Sequence, residues 1–208
     1  NVAYTRDLYG RCIGSQEGKK IRRFLFIGNS EIGAIDEKGK LVELKIPETI
    51  LDDHAIGAVA LELNGKPYVP ITNLFYDIVG LVDPTTDTLI ESYEYSAFGE
   101  SHSPPSMNPW RYRGMRQDFS AVLVHFPFRE YSPELQRFTS EDPLEMAEGP
   151  NYYCYVHNNP LRYFDFDGLK VVYGPCECHG LDCQYYSSVG RCGHMDSIIT
   201  PDPATPVL

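Results

Sequence analysis

Along residues 1–99 short runs of aliphatic and aromatic positions alternate with polar ones and break at Asp, Asn and Gly. The phrase Tyr4-Thr5-Arg6-Asp7-Leu8-Tyr9-Gly10-Arg11 is one instance. A second opens at Phe24-Leu25-Phe26-Ile27-Gly28-Asn29, continues as Ile32-Gly33-Ala34-Ile35, and turns at Asp36-Glu37-Lys38-Gly39. It resumes where Val42, Leu44 and Ile46 alternate with Glu43 and Lys45, a period of two that predicts a strand with its aliphatic face buried and its charged face wet. A third runs through Val59, Leu61 and Leu63, turns at Asn64-Gly65 and returns through Tyr68-Val69, the strongest hairpin signal in the chain. A fourth rises from Phe75-Tyr76-Asp77-Ile78-Val79, turns at residues 83–87 and returns through residues 89–95, with Glu91, Tyr93 and Tyr95 on one face. Units recur about every 20 residues, a spacing suited to stacked β-hairpins.

Composition supports strands. Fifteen Tyr and 10 Phe stand beside one Trp, and 17 Gly with 16 Pro punctuate the whole chain, a balance that favours sheet over helix. Of 208 residues 42% are hydrophobic, enough for a core. The net charge of −11 argues against binding nucleic acid through its phosphates. The one basic run, Lys19-Lys20-Ile21-Arg22-Arg23, is expected to be a solvated strand end. No apolar run approaches the length of a membrane span, and the start at Asn1, without Met or a leader-like segment, is expected to be a cut. Three prolines within residues 101–109 predict an extended connector. The connector separates residues 1–109 from 110–169, and a change of texture after Leu169 sets residues 170–208 apart.

Two phrases in the middle segment are specific: Tyr131-Ser132-Pro133-Glu134-Leu135-Gln136-Arg137-Phe138-Thr139-Ser140-Glu141-Asp142-Pro143, and Asn151-Tyr152-Tyr153-Cys154-Tyr155-Val156-His157-Asn158-Asn159-Pro160. With the Asp/Asn-Gly turns before them, they make residues 4–169 resemble the RHS, or YD-repeat, proteins and their repeat-associated core. The resemblance implies an all-β fold, a spiral of YD-repeat β-hairpins forming part of a shell and closed by a core with short helical turns. It implies as partners the preceding repeats of a parent chain and the chain's own C-terminal segment, which the shell encloses, and a secreted or cell-surface location. No cofactor is expected.

The family's core also resembles an aspartic protease acting on its own chain, with two Asp-Pro-x-Gly-Leu elements eighteen residues apart and a cut after the second Leu. Here the elements read Asp142-Pro143-Leu144-Glu145-Met146 and Asp165-Phe166-Asp167-Gly168-Leu169, and residues 147–164 between them number eighteen. The resemblance thus implies Asp142 and Asp165 as catalytic pair and Leu169-Lys170 as the scissile bond. Two neighbouring carboxyls suit this chemistry because they share one proton, leaving one as base for water and the other as acid. A basic group could polarise the carbonyl or hold the ionised member; Arg129 and Arg137 are both candidates.

The sequence departs from the family pattern at Phe166, which replaces Pro, at Glu145-Met146, at Gln136, where Gly is usual, and in residues 118–123, which lack a Gly-Leu turn. Structural roles stand beside the catalytic ones: Asp142 as a helix N-cap ahead of Pro143 and Glu145, Asp165 as a turn residue before Gly168. The rival function is a structural or surface-binding YD-repeat module without chemistry.

Cys12 and Cys154 stand alone in sequence, whereas Cys176, Cys178, His179, Cys183, Cys192 and His194 crowd into the last segment. Zinc, disulfides and free thiols all remain open there, since C-x-C-H-x3-C-x8-C-x-H matches no common zinc pattern. Asp52-Asp53-His54 is expected to be a solvated loop, and His157 a turn residue before Pro160.

Overall fold

Asn64 and Gly65 adopt φ of +54° and +80°, the left-handed pair that a two-residue hairpin turn requires. They join β8 (Ala60–Leu63) to β9 (Lys66–Thr72), with Leu63 opposite Lys66. The same local logic runs through a nine-stranded antiparallel sheet. Its strands are β1 (Val2–Arg6), β2 (Cys12–Glu17), β3 (Lys20–Ile27), β4 (Ser30–Ile35), β5 (Leu41–Ile46), β8, β9, β10 (Ile78–Asp83) and β11 (Thr88–Ser92), each paired with the next. A separate hairpin, β6 (Thr49–Leu51) and β7 (His54–Ile56), interrupts the meander between β5 and β8. These assignments come from a computed structural model, which describes residues 2–51, 53–101, 103, 106–144 and 150–173.

Beyond the large sheet lie a four-stranded antiparallel sheet and a final pair. The former comprises β12 (Arg116–Asp118), β13 (Leu123–His125), β14 (Glu130–Ser132) and β15 (Arg137–Phe138); the latter, β16 (Tyr163–Asp165) and β17 (Val171–Tyr173). Among the described residues short 3-10 turns lie at Tyr112–Gly114 and Val156–Asn158, and the fold is all-β. Among those residues no helix is long and apolar enough to cross a membrane.

Two apolar clusters form the interior. Leu61, Leu63, Tyr68, Ile78, Leu81, Tyr93 and Trp110 fill the first, which Ala58 completes. Tyr112, Val124, Phe126, Tyr131, Phe138, Tyr155 and Val156 fill the second. The second is an aromatic stack: Tyr131 and Tyr155 lie 4.3 Å apart, and Phe126 meets Phe138 edge-on at 5.5 Å. Contacts run freely across residue 109: Trp110 sits among repeat residues, Arg111 accepts the Ile78 N–H, and the Arg113 N–H donates to Asp77 at 2.8 Å.

Strand β5 reverses the expected faces. Glu43 and Lys45 are the buried residues, while Ile46 is 47% exposed. The reason is what packs over them. The Arg116 guanidinium lies 2.7 Å from Glu43 and 2.9 Å from Glu31, and Arg22 reaches the other Glu43 oxygen at 2.7 Å. Trp110 donates its indole N–H to Glu31, and the Lys45 ammonium donates to the Gly114 carbonyl at 2.8 Å. Burial pushes the Glu43 carboxyl up, but Arg116 and Arg22 outweigh it and hold it below the usual carboxylate range. Burial pushes the Lys45 amine down to about 8. Arg22 consequently is no solvated strand end, although Lys20 and Arg23 in the same run are exposed.

One further local expectation changes. The fourth unit begins as strand only at Ile78, because the Asn73 side chain accepts the N–H groups of Phe75 and Asp77 and bends the chain there. Gln136 and Val122, which occupy positions where the family pattern carries glycine or a glycine turn, adopt φ of +56° and +55°. The turns keep their glycine-type backbone without the glycine.

Candidate active site

The candidate site is assembled by three turns that lean on the aromatic cluster. Arg129 precedes β14 in a tight turn closed by the Phe126 N–H and its own carbonyl, 3.0 Å apart. Asp142 follows β15, and Asp165 ends β16. The turn between β16 and β17 docks on the first: the Phe128 N–H donates to the Asp167 carbonyl at 2.9 Å. Gly168, at φ +82°, permits this approach, since a Cβ there would stand 3.1 Å from that of Phe126 and 3.3 Å from that of Arg129.

Arg129 brings the two carboxylates together. Its Nη2 lies 3.0 Å from Asp142 Oδ2 and 3.6 Å from Asp165 Oδ2. All three side chains are buried. The guanidinium lies on the Phe138 ring, 3.7 Å from its centroid, donates through Nη1 to the Tyr152 carbonyl at 3.2 Å, and through Nε to the Gly168 carbonyl. Arg137, by contrast, is exposed and rests against Tyr153 at 5.5 Å.

The two carboxylates are held differently. Asp142 Oδ1 accepts the Leu144 N–H at 2.8 Å, a turn-capping bond of the kind its structural reading anticipates; Glu145 lies outside the described residues. Asp165 Oδ1 accepts the N–H of Gly168 at 2.7 Å, with longer bonds from Asp167 and Leu169. Its Oδ2 is buried without a hydrogen bond. Burial pushes the Asp165 carboxyl up to about 8, the Asp167 charge adds to the push, and Arg129 opposes both. Leu169 and Lys170 sit in the hairpin turn that this carboxylate caps, with Asp165 paired to Val171 at its base. One buried acid therefore favours its protonated form beside a second that faces a fixed cation, the asymmetry that general acid and general base roles require.

No family model matches the chain. Its sequence is 38% identical over 67 residues to toxin protein Tse5 of Pseudomonas aeruginosa, a match spanning 32% of this chain and 5% of that one. It is 28% identical over 172 residues to toxin subunit YenC1 of Yersinia entomophaga, across 74% of this chain and 17% of the relative. In fold, 81% of it superposes on 9% of a chain in the crystal structure of TcdB2-TccC3 without its hypervariable C-terminal region, with a TM-score of 0.59 at 21% identity. The chain resembles RHS-repeat toxin proteins. It spans only a small fraction of the curated relatives it matches.

Two residues near the carboxylates were not singled out by the motif. Asp167 occupies the variable position of the second element; its Oδ1 accepts the Leu169 N–H at 2.9 Å. His54 comes from the repeat half. It is packed rather than solvated, with its ring stacked on Phe166 at 5.9 Å. No sequence pattern links positions 54 and 167, so only the folded contact reveals them. His157 sits in the left-handed turn before Pro160, edge-on to Tyr163. Among the described cysteines, Cys12 and Cys154 are free. Cys176, Cys178, His179, Cys183, Cys192 and His194 lie outside the described residues.

Proposed function

We propose that this chain is the C-terminal part of an RHS-type encapsulating shell whose core cuts its own chain after Leu169 and separates the segment beginning at Lys170. The observation that carries the reading is the buried meeting of Asp142 and Asp165 on one Arg129 guanidinium, beside the turn that holds Leu169-Lys170. Asp142, in contact with Arg129, takes a proton from water as it attacks the Leu169 carbonyl. Asp165, protonated, donates to that oxygen as charge develops; on collapse it takes this proton back from the hydroxyl while Asp142 passes the water-derived proton to the Lys170 nitrogen. The C–N bond breaks, leaving a Leu169 carboxylate and a Lys170 amine, with water consumed and no cofactor. Arg129 anchors the turn through the Gly168 carbonyl and offsets the second negative charge.

Two further points support this reading. Burial raises the Asp165 carboxyl to about 8, favouring the protonated form that a general acid requires. The fold relative solved without a hypervariable C-terminal region aligns with this chain. We assign residues 1–109 to the shell wall, 110–169 to the core that closes it, and 170–208 to the variable segment. The preceding repeats of the parent chain and that segment are its partners, and the assembly acts outside the producing cell. N-terminal sequencing of the small fragment from the expressed parent chain tests the reading: it should begin at Lys170, and Asp142→Asn should yield no fragment.

A further inference from the structure

The Leu169-Lys170 peptide lies in a hairpin whose two arms are anchored independently. Before the bond, the Phe128 N–H donates to the Asp167 carbonyl at 2.9 Å, Arg129 donates to the Gly168 carbonyl, and Asp165 Oδ1 accepts the Gly168 N–H at 2.7 Å. All three contacts lie on the Leu169 side of the bond and survive its hydrolysis. Strand β16 is likewise fixed without help from β17. Phe164 is buried, stacks on Phe75 and Phe166 with centroids 5.9 and 5.8 Å away, and lies under the Arg113 guanidinium at 4.5 Å. Arg113 donates to the Pro160 carbonyl, and the Arg162 and Tyr163 N–H groups donate to the Asn159 carbonyl at 3.1 Å.

The arm beyond the bond is β17, the three residues that follow Lys170. It pairs antiparallel with β16, Val171 opposite Asp165, Val172 opposite Phe164 and Tyr173 opposite Tyr163. Side chains alternate across a strand, so Val171 shares the face of Asp165 and Tyr163. There Val171 packs against the second aromatic cluster, as Tyr163 does. Lys170 between the bond and this strand is exposed, so breaking its amide disturbs no packing of its own.

We propose that hydrolysis after Leu169 nicks this hairpin without opening it: the edge of β16 is a docking site for the freed strand Val171–Tyr173, which holds the new N-terminus in the core by strand addition. This deepens the self-cleavage proposed above and rests on it. One water is consumed and the Leu169-Lys170 amide breaks; the ladder and the packing of Val171 are untouched. Strand pairing supplies main-chain hydrogen bonds, and Val171 supplies the side-chain anchor. So short a strand binds weakly from solution, but this one is in place before the cut and has no partner to search for. Release of the segment is therefore a step separate from the cut, in which β17 peels off β16.

The test is amide hydrogen exchange of the full parent chain, read at residue resolution by mass spectrometry, on cut wild type beside uncut Asp142→Asn. The amides of Val171, Val172 and Tyr173 should exchange equally slowly in both. Enclosure in a shell does not produce this result, because an unpaired backbone bathed in water exchanges freely. Val171→Ser, which keeps the acids and the scissile pair, should still be cut but should then exchange these amides about tenfold faster, the effect of losing one buried aliphatic anchor. If Val171→Ser stays uncut, the comparison of cut wild type with Asp142→Asn decides alone. Exchange at the rate of an unstructured chain in cut wild type overturns the docking and leaves the cut in place, and an unchanged rate in cut Val171→Ser overturns its anchor. A folded wild-type chain that is never cut overturns both readings at once.

Discussion

The Nε–H of Arg129 donates to the carbonyl of Gly168, tying the cation between the two carboxylates to the peptide one residue ahead of Leu169. The charge that steadies the pair and the clamp that orders the scissile turn are thus one side chain. Its rigidity comes from Phe138 beneath it and from the glycine that lets the turn approach.

Arg129→Ala should abolish cleavage and lower stability by about 3–5 kcal/mol, because it strands buried carboxylate charge. Arg137→Ala should leave cleavage intact and shift stability by no more than about 0.5 kcal/mol, as for an exposed side chain. Denaturant titration beside the cleavage assay separates the two arginines.

Asp165 carries a specific pH signature. Its folded-state carboxyl is raised to about 8, so between the ordinary carboxylate range and pH 8 the folded chain binds more protons than the unfolded one. Its contribution to stability is greatest at acid pH and falls by about 1.4 kcal/mol per pH unit across that window. Asp165→Asn should remove this slope, making the uncut variant more stable than wild type near pH 7.5 and less distinct near pH 4. Paired denaturation curves at several pH values measure the difference, provided cleavage in wild type is blocked by a shared Asp142→Asn background.

Val122 is β-branched yet left-handed at φ +55°, a conformation that costs about 1–2 kcal/mol in an L residue. Val122→Gly should stabilise the chain by about 1 kcal/mol, since half-exposed Val122 gives up little packing. A thermal or denaturant midpoint that falls instead would show that its side chain contributes more than its backbone strain costs.

Arg116→Met should destabilise the repeat sheet by about 3–5 kcal/mol, as it leaves Glu31 and Glu43 without their shared cation. Replacing Glu43 by Gln in the same chain should recover part of that loss, which a double-mutant cycle reads directly.

Much of this architecture is legible in sequence because its signals are local. The Asn64-Gly65 turn dictates its hairpin through backbone conformation alone, and the spacing of Asp142 and Asp165 survives as a motif. What is not legible is whatever depends on the partner surface. A period of two defines two faces of β5 but not which one faces inward; Arg116, over seventy positions away by its contacts with Glu43, decides it. Arg129 and Arg137 stand in similar phrases, and only the turn at Phe126 aims the first of them at the carboxylates. His54 lacks any pattern of its own, and its place follows from how closely the hairpin can approach Gly28.

The central claim is that Asp142 and Asp165 cut the chain after Leu169. Intact mass spectrometry of the purified parent chain, wild type beside Asp165→Asn, tests it most directly. Two masses that sum to the parent plus one water, with the larger ending at Leu169, are predicted for wild type, and a single uncut mass for Asp165→Asn. An uncut, folded wild-type chain, or an identical break in Asp165→Asn, would contradict it.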